Sequence, residues 1–278
     1  MLAAGLLVLS VAACEGDPPD NDDVTQYVAL GDSHTAAPHT PEGDLTVPCY
    51  RSDDNYPAVL AALLPDAVLD DVSCSGATTA AMTGEQDSRG TPVPPQLDAL
   101  SDETDLVTVN VGGNDEGLSV GWLNCYQLTA SDPQGSPCAD NNATFDGDVL
   151  LDKIPQIEDH LASVLEEVKD DAPNATIVVV TYPRVFPDQG TCKFAKVYSV
   201  GDHTYINTIL ETLSDAMIDA AKDAGVKWVD VYAASRGHDI CSKKPWVNGD
   251  SKDWTRANFL HPFPEEQAAV AKLILAEL

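Results

Sequence analysis

The chain has 278 residues, 44% of them hydrophobic and 6% aromatic, enough apolar material for one large domain with a full core. Acidic side chains number 45 against 15 basic ones, a formal net charge of -30. That balance excludes a nucleic-acid partner, which needs clustered Lys and Arg, and describes a surface kept soluble by self-repulsion that salt relieves, as a salt-rich habitat would.

The opening MLAAGLLVLSVAA (1–13) carries no charge and reads as the apolar core of a secretion signal, too short for a permanent membrane anchor and lacking the usual basic start. VAAC (11–14) resembles a bacterial lipobox, in which the cysteine, here Cys14, becomes the lipidated first residue; a plain signal cut nearby is the alternative. EGDPPDNDD is acidic and devoid of apolar residues, so 14–23 is expected to be a lipidated cysteine with a flexible tether, and 24–278 the folded domain. Such a protein would touch a membrane only through that anchor and act as a monomer.

VTQYVAL (24–30) predicts a mostly buried first strand, YPAVLAALL (56–64) a short helix and DAVLDDVS (66–73) a second strand. DLVTVNVGG (105–113) and ATIVVVTYP (175–183) are continuous β-branched runs suited to central strands buried on both faces, and VKWVDVY (226–232) is the fifth. Between them, Leu150, Ile154, Ile157, Leu161, Val164, Leu165 and Val168 recur at helical spacing before Pro173. So do Ile206, Ile209, Leu210, Leu213, Met217, Ala220 and Ala221 before Gly225, and PEEQAAVAKLILAEL opens with a favourable helix start. The alternation predicts an α/β domain, a three-layer α/β/α sandwich around a mostly five-stranded parallel sheet, with binding sites outside the carboxyl ends of the strands. Residues 116–147 lack periodicity and are expected to form a disulfide-held excursion near those ends.

Setting Cys14 aside leaves Cys49, Cys74, Cys125, Cys138, Cys192 and Cys241, an even set that suits three disulfides in an exported chain. No C-x-x-C or H-E-x-x-H occurs, so neither a metal nor any other cofactor is expected.

Three motifs fall where this fold makes positions equivalent: Gly31-Asp32-Ser33 after the first strand, Gly112-Gly113-Asn114-Asp115 after a central strand, and His261-Pro262 before the last helix. Alone, a Gly-Asp-Ser turn is an ordinary helix cap. Together, the blocks ALGDSHTA, CSGATTAAM, VGGNDEG and NFLHPFPEEQAAVA, in this order over residues 24–278, resemble the SGNH or GDSL esterase and lipase superfamily. The likeness is closest to its secreted actinobacterial branch with three disulfides, and TYPRVFP also looks like a family segment.

The resemblance implies a flavodoxin-like SGNH-hydrolase fold and a secreted serine ester hydrolase, esterase or lipase, that works through an acyl-enzyme on Ser33. A serine hydroxyl needs a base within hydrogen-bond reach, here His261, and the tetrahedral intermediate needs preorganised donors. By resemblance these donors are the N–H of Ser33, the N–H of Gly76 and the side-chain amide of Asn114; the disulfides would run Cys49–Cys74, Cys125–Cys138 and Cys192–Cys241. Where most of the family has Asp three residues before the histidine, this chain has Asn258. A carbonyl can fix the imidazole tautomer in its stead. The main-chain carbonyl of Asn258 is the first choice, its side-chain oxygen the second and Asp253 the third.

His34, His39, His160, His203 and His238 are read as surface or loop residues; His34, beside the serine, could line the acyl or alcohol pocket but is expected to point away and not to be the base. Asp32 and Asp115 are read as tying the motif loops together through backbone hydrogen bonds. The Asn142 and Asn174 sequons fit glycosylation formally, but the bacterial-looking signal argues against it. With no apolar lid segment visible, soluble or short acyl esters are favoured. A catalytically silent exported binding lipoprotein, or an acyltransferase on the same scaffold, is the alternative.

Overall fold

In a computed structural model, the described residues are 24–38, 48–249 and 255–278. The signal segment, Cys14 and its tether, His39 and Asp253 lie outside them. In chain order the elements are β1 (Gln26–Gly31), α1 (Ser33–Ala36), α2 (Tyr56–Ala61), β2 (Val68–Asp71), α3 (Ala80–Thr83), β3 (Gln86–Ser88), β4 (Thr91–Val93), β5 (Leu106–Asn110), α4 (Leu118–Leu123), α5 (Pro137–Asn142), α6 (Ile154–Asp171), β6 (Thr176–Val180), α7 (Asp202–Ala224), β7 (Lys227–Val229), α8 (Val231–Ala234) and α9 (Pro264–Glu277).

The main sheet has five parallel strands in the order β2-β1-β5-β6-β7. After β1 the chain steps outward to β2 and then returns to the other side of β1 with β5, so the order reverses between β1 and β5. A crevice opens at the carboxyl ends of strands where such a reversal occurs. β5 is buried at every position, as its β-branched run requires of a strand covered on both faces.

Side chains alternate across β1 and define the two outer layers. Tyr27 and Ala29 join Leu60, Leu64, Val270, Ala271 and Ile274, the inner faces of α2 and α9 and the turn after α2. Val28 and Leu30 join the core that holds Ile157, Leu161 and Val164 of α6 with Leu213 and Met217 of α7. Both long helices bury the stripes that their periodicity predicts, and Gly225 ends α7 in the left-handed conformation. Asn55 caps α2 by accepting the Ala58 N–H at 3.1 Å.

The expected irregular excursion contains short helical pieces, α4 and α5, whose six residues each are too few to show a period. Cys125–Cys138 closes it, while Cys49–Cys74 and Cys192–Cys241 are the other two bridges. The β3–β4 hairpin is absent from the sequence reading because three-residue strands carry no usable alternation.

In the first turn of α9, Glu266 is 3% exposed and its carboxylate accepts only the Gln267 amide among the described residues. Burial pushes its pKa to about 8. With the folded value above the unfolded one, this group's stabilising contribution is complete below the ordinary carboxylate range and is lost as pH rises through about 8. Glu266→Gln should therefore melt several degrees above wild type at alkaline pH and lose that advantage near pH ~4, as thermal scans at the two pH values would read.

Candidate active site

Ser33 stands at the end of β1 because the turn behind it is tightly packed. The Asp32 N–H donates to the Asn110 carbonyl at 3.0 Å, continuing the β1–β5 ladder by one step. A Cβ at Gly31 would sit 2.1 Å from Thr35 Oγ1 and 2.9 Å from the Asn110 carbonyl, so only glycine fits. Asp32 caps α1, accepting the His34 N–H at 2.8 Å, which makes Ser33 the first residue of that helix. First-turn N–H groups have no intrahelical acceptor, and the Ser33 N–H accordingly remains available to a ligand.

Gly76 follows β2 through Cys74, whose N–H donates to the Gly31 carbonyl at 2.9 Å. Its φ of +83° explains the glycine, since a Cβ there would meet only Gln86 Nε2 at 3.8 Å; backbone conformation, not crowding, is the constraint. Asn114 follows β5. Its amide donates to the Ala77 carbonyl at 3.0 Å and, at the longer distance of 3.4 Å, to Asp32 Oδ2, while its oxygen accepts the Ser119 hydroxyl at 2.8 Å.

His261 arrives from the far end of the chain and is held by bonds to the Ser33 side of the site. The Asn258 N–H donates to the Pro38 carbonyl at 2.9 Å, and Gln267 of α9 spans the gap, its amide donating to the His34 carbonyl at 3.2 Å while its oxygen accepts the Tyr56 N–H at 2.5 Å. On the other side, the Asn248 N–H donates to the His261 carbonyl at 3.0 Å.

Ser33, Gly76, Asn114 and His261 all line one cavity of about 510 Å³, together with Asp32, His34, Asn258 and the apolar Trp122, Leu123, Leu210, Leu213, Phe259 and Leu260. No hydrogen bond joins Ser33 to His261 among the described residues.

The tautomer of His261 is set by a carbonyl, but not by the expected one. Nδ1–H donates to the Phe259 carbonyl at 2.8 Å. The Asn258 carbonyl is occupied by the N–H of His261 itself, at 3.1 Å, closing a turn whose third residue, Leu260, is left-handed at φ 56°. The Asn258 side-chain oxygen is likewise engaged, accepting the Phe259 N–H at 2.9 Å. Asn258 thus shapes the turn, and the ring folds back onto the carbonyl two residues before it. With the proton on Nδ1, the Nε2 lone pair is free to accept one. Burial holds the His261 pKa below its ordinary value, keeping the ring in its basic form, against the opposing pull of the Phe259 carbonyl.

His34 corrects a second expectation. Its ring does not turn away; it lies edge-on to Tyr182 with centroids 4.9 Å apart and stacks over His261 at 5.6 Å. Burial, and secondarily the neighbouring His261, lower its pKa to about 3, so it stays neutral, with Nδ1 buried and unpartnered. His203 is also buried, stacked on Phe186 at 4.5 Å with Nε2 donating to the Ala195 carbonyl at 3.2 Å. His160 is 40% exposed and lies 3.6 Å from Asp115, and His238 is half-buried, donating from Nδ1 to the Lys244 carbonyl at 2.8 Å.

The two acids make the backbone hydrogen bonds expected of them and add bonds to side chains. Asp115 accepts both the N–H and the hydroxyl of Thr79, fixing the block around Gly76 to the block around Asn114. Asp32 accepts the Tyr182 hydroxyl at 2.7 Å, and that hydroxyl in turn accepts the Gly113 N–H at 2.9 Å. Burial raises the Asp32 pKa to about 7 against the lowering effect of the His34 N–H and the Tyr182 hydroxyl. Tyr182 and Ser119 escaped the sequence reading as site residues. The segment TYPRVFP was the available signal for the first, and nothing marked the second.

The family model for GDSL-like lipases and acylhydrolases matches residues 29–268. Lipase 2 of Streptomyces coelicolor is 34% identical over 247 residues, covering 86% of this chain and 81% of that protein. Two solved structures cover 92% of the chain and all of their own: phospholipase A1 from Streptomyces albidoflavus, 28% identical with a TM-score of 0.73, and an extracellular lipase from Streptomyces rimosus, 26% identical with a TM-score of 0.74.

Because the Phe259 main chain holds the ring, Asn258→Ala should retain kcat within a few-fold in an ester-hydrolysis assay, far from the ~10⁴-fold drop that follows loss of a tautomer-fixing acid. Asn114→Ala, which removes an amide donor from the cavity wall, should lower kcat by roughly 10²–10³-fold in the same assay with thermal stability as a control.

Proposed function

Because the chain belongs to the GDSL-like lipase/acylhydrolase family and is a serine ester hydrolase, we propose that Ser33 attacks the ester carbonyl carbon while His261 Nε2 takes the hydroxyl proton. The observation that carries this reading is the convergence of Ser33, His261, Gly76 and Asn114 on one cavity. As charge collects on the former carbonyl oxygen, it meets the N–H groups of Ser33 and Gly76 and the Asn114 amide, which need only exchange its long contact with Asp32 for the oxyanion. The imidazolium is steadied by the Phe259 carbonyl. Collapse of the intermediate breaks the bond to the alcohol, which leaves with the proton from Nε2, and water then cleaves the acyl-enzyme by the same steps in reverse.

The apolar wall formed by Trp122, Leu123, Leu210, Leu213, Phe259 and Leu260 suits an acyl chain of several carbons more than an acetyl group. The lipase and phospholipase A1 names of the relatives agree with a fatty acyl ester. Three disulfides and an extracellular relative fit an exported enzyme, and VAAC supports lipidation at Cys14 as its anchor.

A fluorophosphonate probe should label wild type at Ser33 and leave Ser33→Ala unlabelled; labelling elsewhere, or none, removes Ser33 from the chemistry. On a panel of nitrophenyl esters, kcat/KM should climb from acetate by up to roughly fourfold per added methylene until the cavity is filled. A flat or falling series would show that the apolar wall does not receive the acyl group.

A further inference from the structure

We propose that the Arg89 guanidinium, stacked on Tyr50 at the rim of the cavity that holds Ser33, is a subsite for an oxyanion, phosphate or carboxylate, carried by the ester substrate. This deepens the ester-hydrolase reading and rests on it.

Arg89 is the only lysine or arginine that lines the cavity among the described residues. Its guanidinium carbon lies 4.6 Å from the centroid of the Tyr50 ring, and Tyr50 lines the cavity as well. Arg89 is exposed, and no carboxylate among the described residues pairs with it, so its planar fork of donors is open to a ligand while one face rests on the aromatic ring. In a chain of net charge -30, a cation left over at a binding cavity is a specific feature, not part of a general basic surface.

The backbone gives a second, independent observation. Arg89 and Gly90 form the two-residue turn between β3 and β4 with φ of 52° and 84°, a geometry in which Asn or Gly is the usual first residue. An arginine there carries a conformational cost. Cys49 and Tyr50 opposite are also left-handed, at φ 70° and 55°. Strained non-glycine residues gathered on both sides of one contact mark a place where side-chain position is worth more than backbone ease.

The hairpin is also firmly moored to the site. Gln86 donates to the Ser75 carbonyl at 3.0 Å, next to Gly76, and the Ser88 hydroxyl accepts the Cys49 N–H at 3.0 Å. Arg89 is thereby held in a fixed relation to the Gly76 wall, as a residue must be to read one end of a substrate whose ester lies at the other. The long-range repulsion of an anionic substrate by the acidic surface falls away with salt, whereas a charge-assisted contact at the rim does not depend on distance screening to the same degree.

The test compares three soluble esters that differ at one glycerol position: dibutyrylglycerol phosphate, dibutyrylglycerol hemisuccinate and tributyrin. Wild type should favour the two anionic esters over tributyrin in kcat/KM. Arg89→Gln should lower that preference about tenfold, mainly through KM, as expected for one charged hydrogen-bonded contact. Arg89→Lys should restore part of it. Rescue of the phosphate ester alone, or of the hemisuccinate alone, identifies which oxyanion the subsite takes. Equal effects of Arg89→Gln on all three esters, no effect, or no turnover of the anionic esters overturns the subsite. Fluorophosphonate labelling of Ser33 in the same preparations separates the two failures: labelled enzyme without an anion preference sinks the subsite alone, and absent labelling sinks the hydrolase assignment beneath it.

Discussion

The pairing of β1 with β5 is the constraint on which the site depends. Gly31 stands opposite Asn110 at the end of their shared ladder, and the next N–H, that of Asp32, still reaches the Asn110 carbonyl. Two parallel strands that end together deliver their following loops to the same spot, so Ser33 and Asn114 become neighbours although 81 residues separate them. β2, on the other flank of β1, adds the loop with Gly76. The remaining group, His261, has no strand behind it. It is brought in by hydrogen bonds from Asn258 to Pro38 and from Gln267 to His34, which fasten the last turn and helix to the residues around the serine.

Much of this was legible in the linear chain. Continuous β-branched runs can hardly be anything but strands enclosed on both sides, and the seven-residue stripe leading into α6 is buried throughout. The motif residues Ser33, Gly76, Asn114 and His261 could be named because four blocks of the chain resemble those of a known family, and the blocks of Ser33, Asn114 and His261 also fall at strand ends or before a helix that periodicity locates. What could not be read were features without a side-chain signature. A backbone carbonyl is the same chemical group at Asn258 and Phe259, and which one meets the imidazole depends on the turn that closes through the left-handed Leu260. The bridge through Tyr182 joins Asp32 to a residue 150 positions away, beyond any local pattern. His34 lies in a four-residue helix, too short for its facing to be deduced.

The interior beneath the serine is chemically quiet in a way the acidic exterior is not. Asp32 is buried with a pKa of about 7, Tyr182 is pushed well above the ordinary phenol range, and His34 is neutral. Each of these groups is deprived of water, and each is pushed toward its uncharged form. Burial likewise favours the neutral form of the His261 ring, the form able to take up a proton. Replacing the usual acid by a carbonyl acceptor is consistent with that economy of charge.

The Cys49–Cys74 bridge lies between the two halves of the cavity mouth, with Tyr50 next to one sulfur-bearing residue and Gly76 two positions from the other. Were those thiols left free, the wall carrying Gly76 and the platform beneath Arg89 would be held together by non-covalent contacts such as the Cys49 and Gln86 hydrogen bonds to the hairpin and the Ser75–Cys49 contact. Maturation of the mouth is thereby linked to the redox state of its surroundings, and the cavity would be slowest to take its final form where thiols are kept reduced.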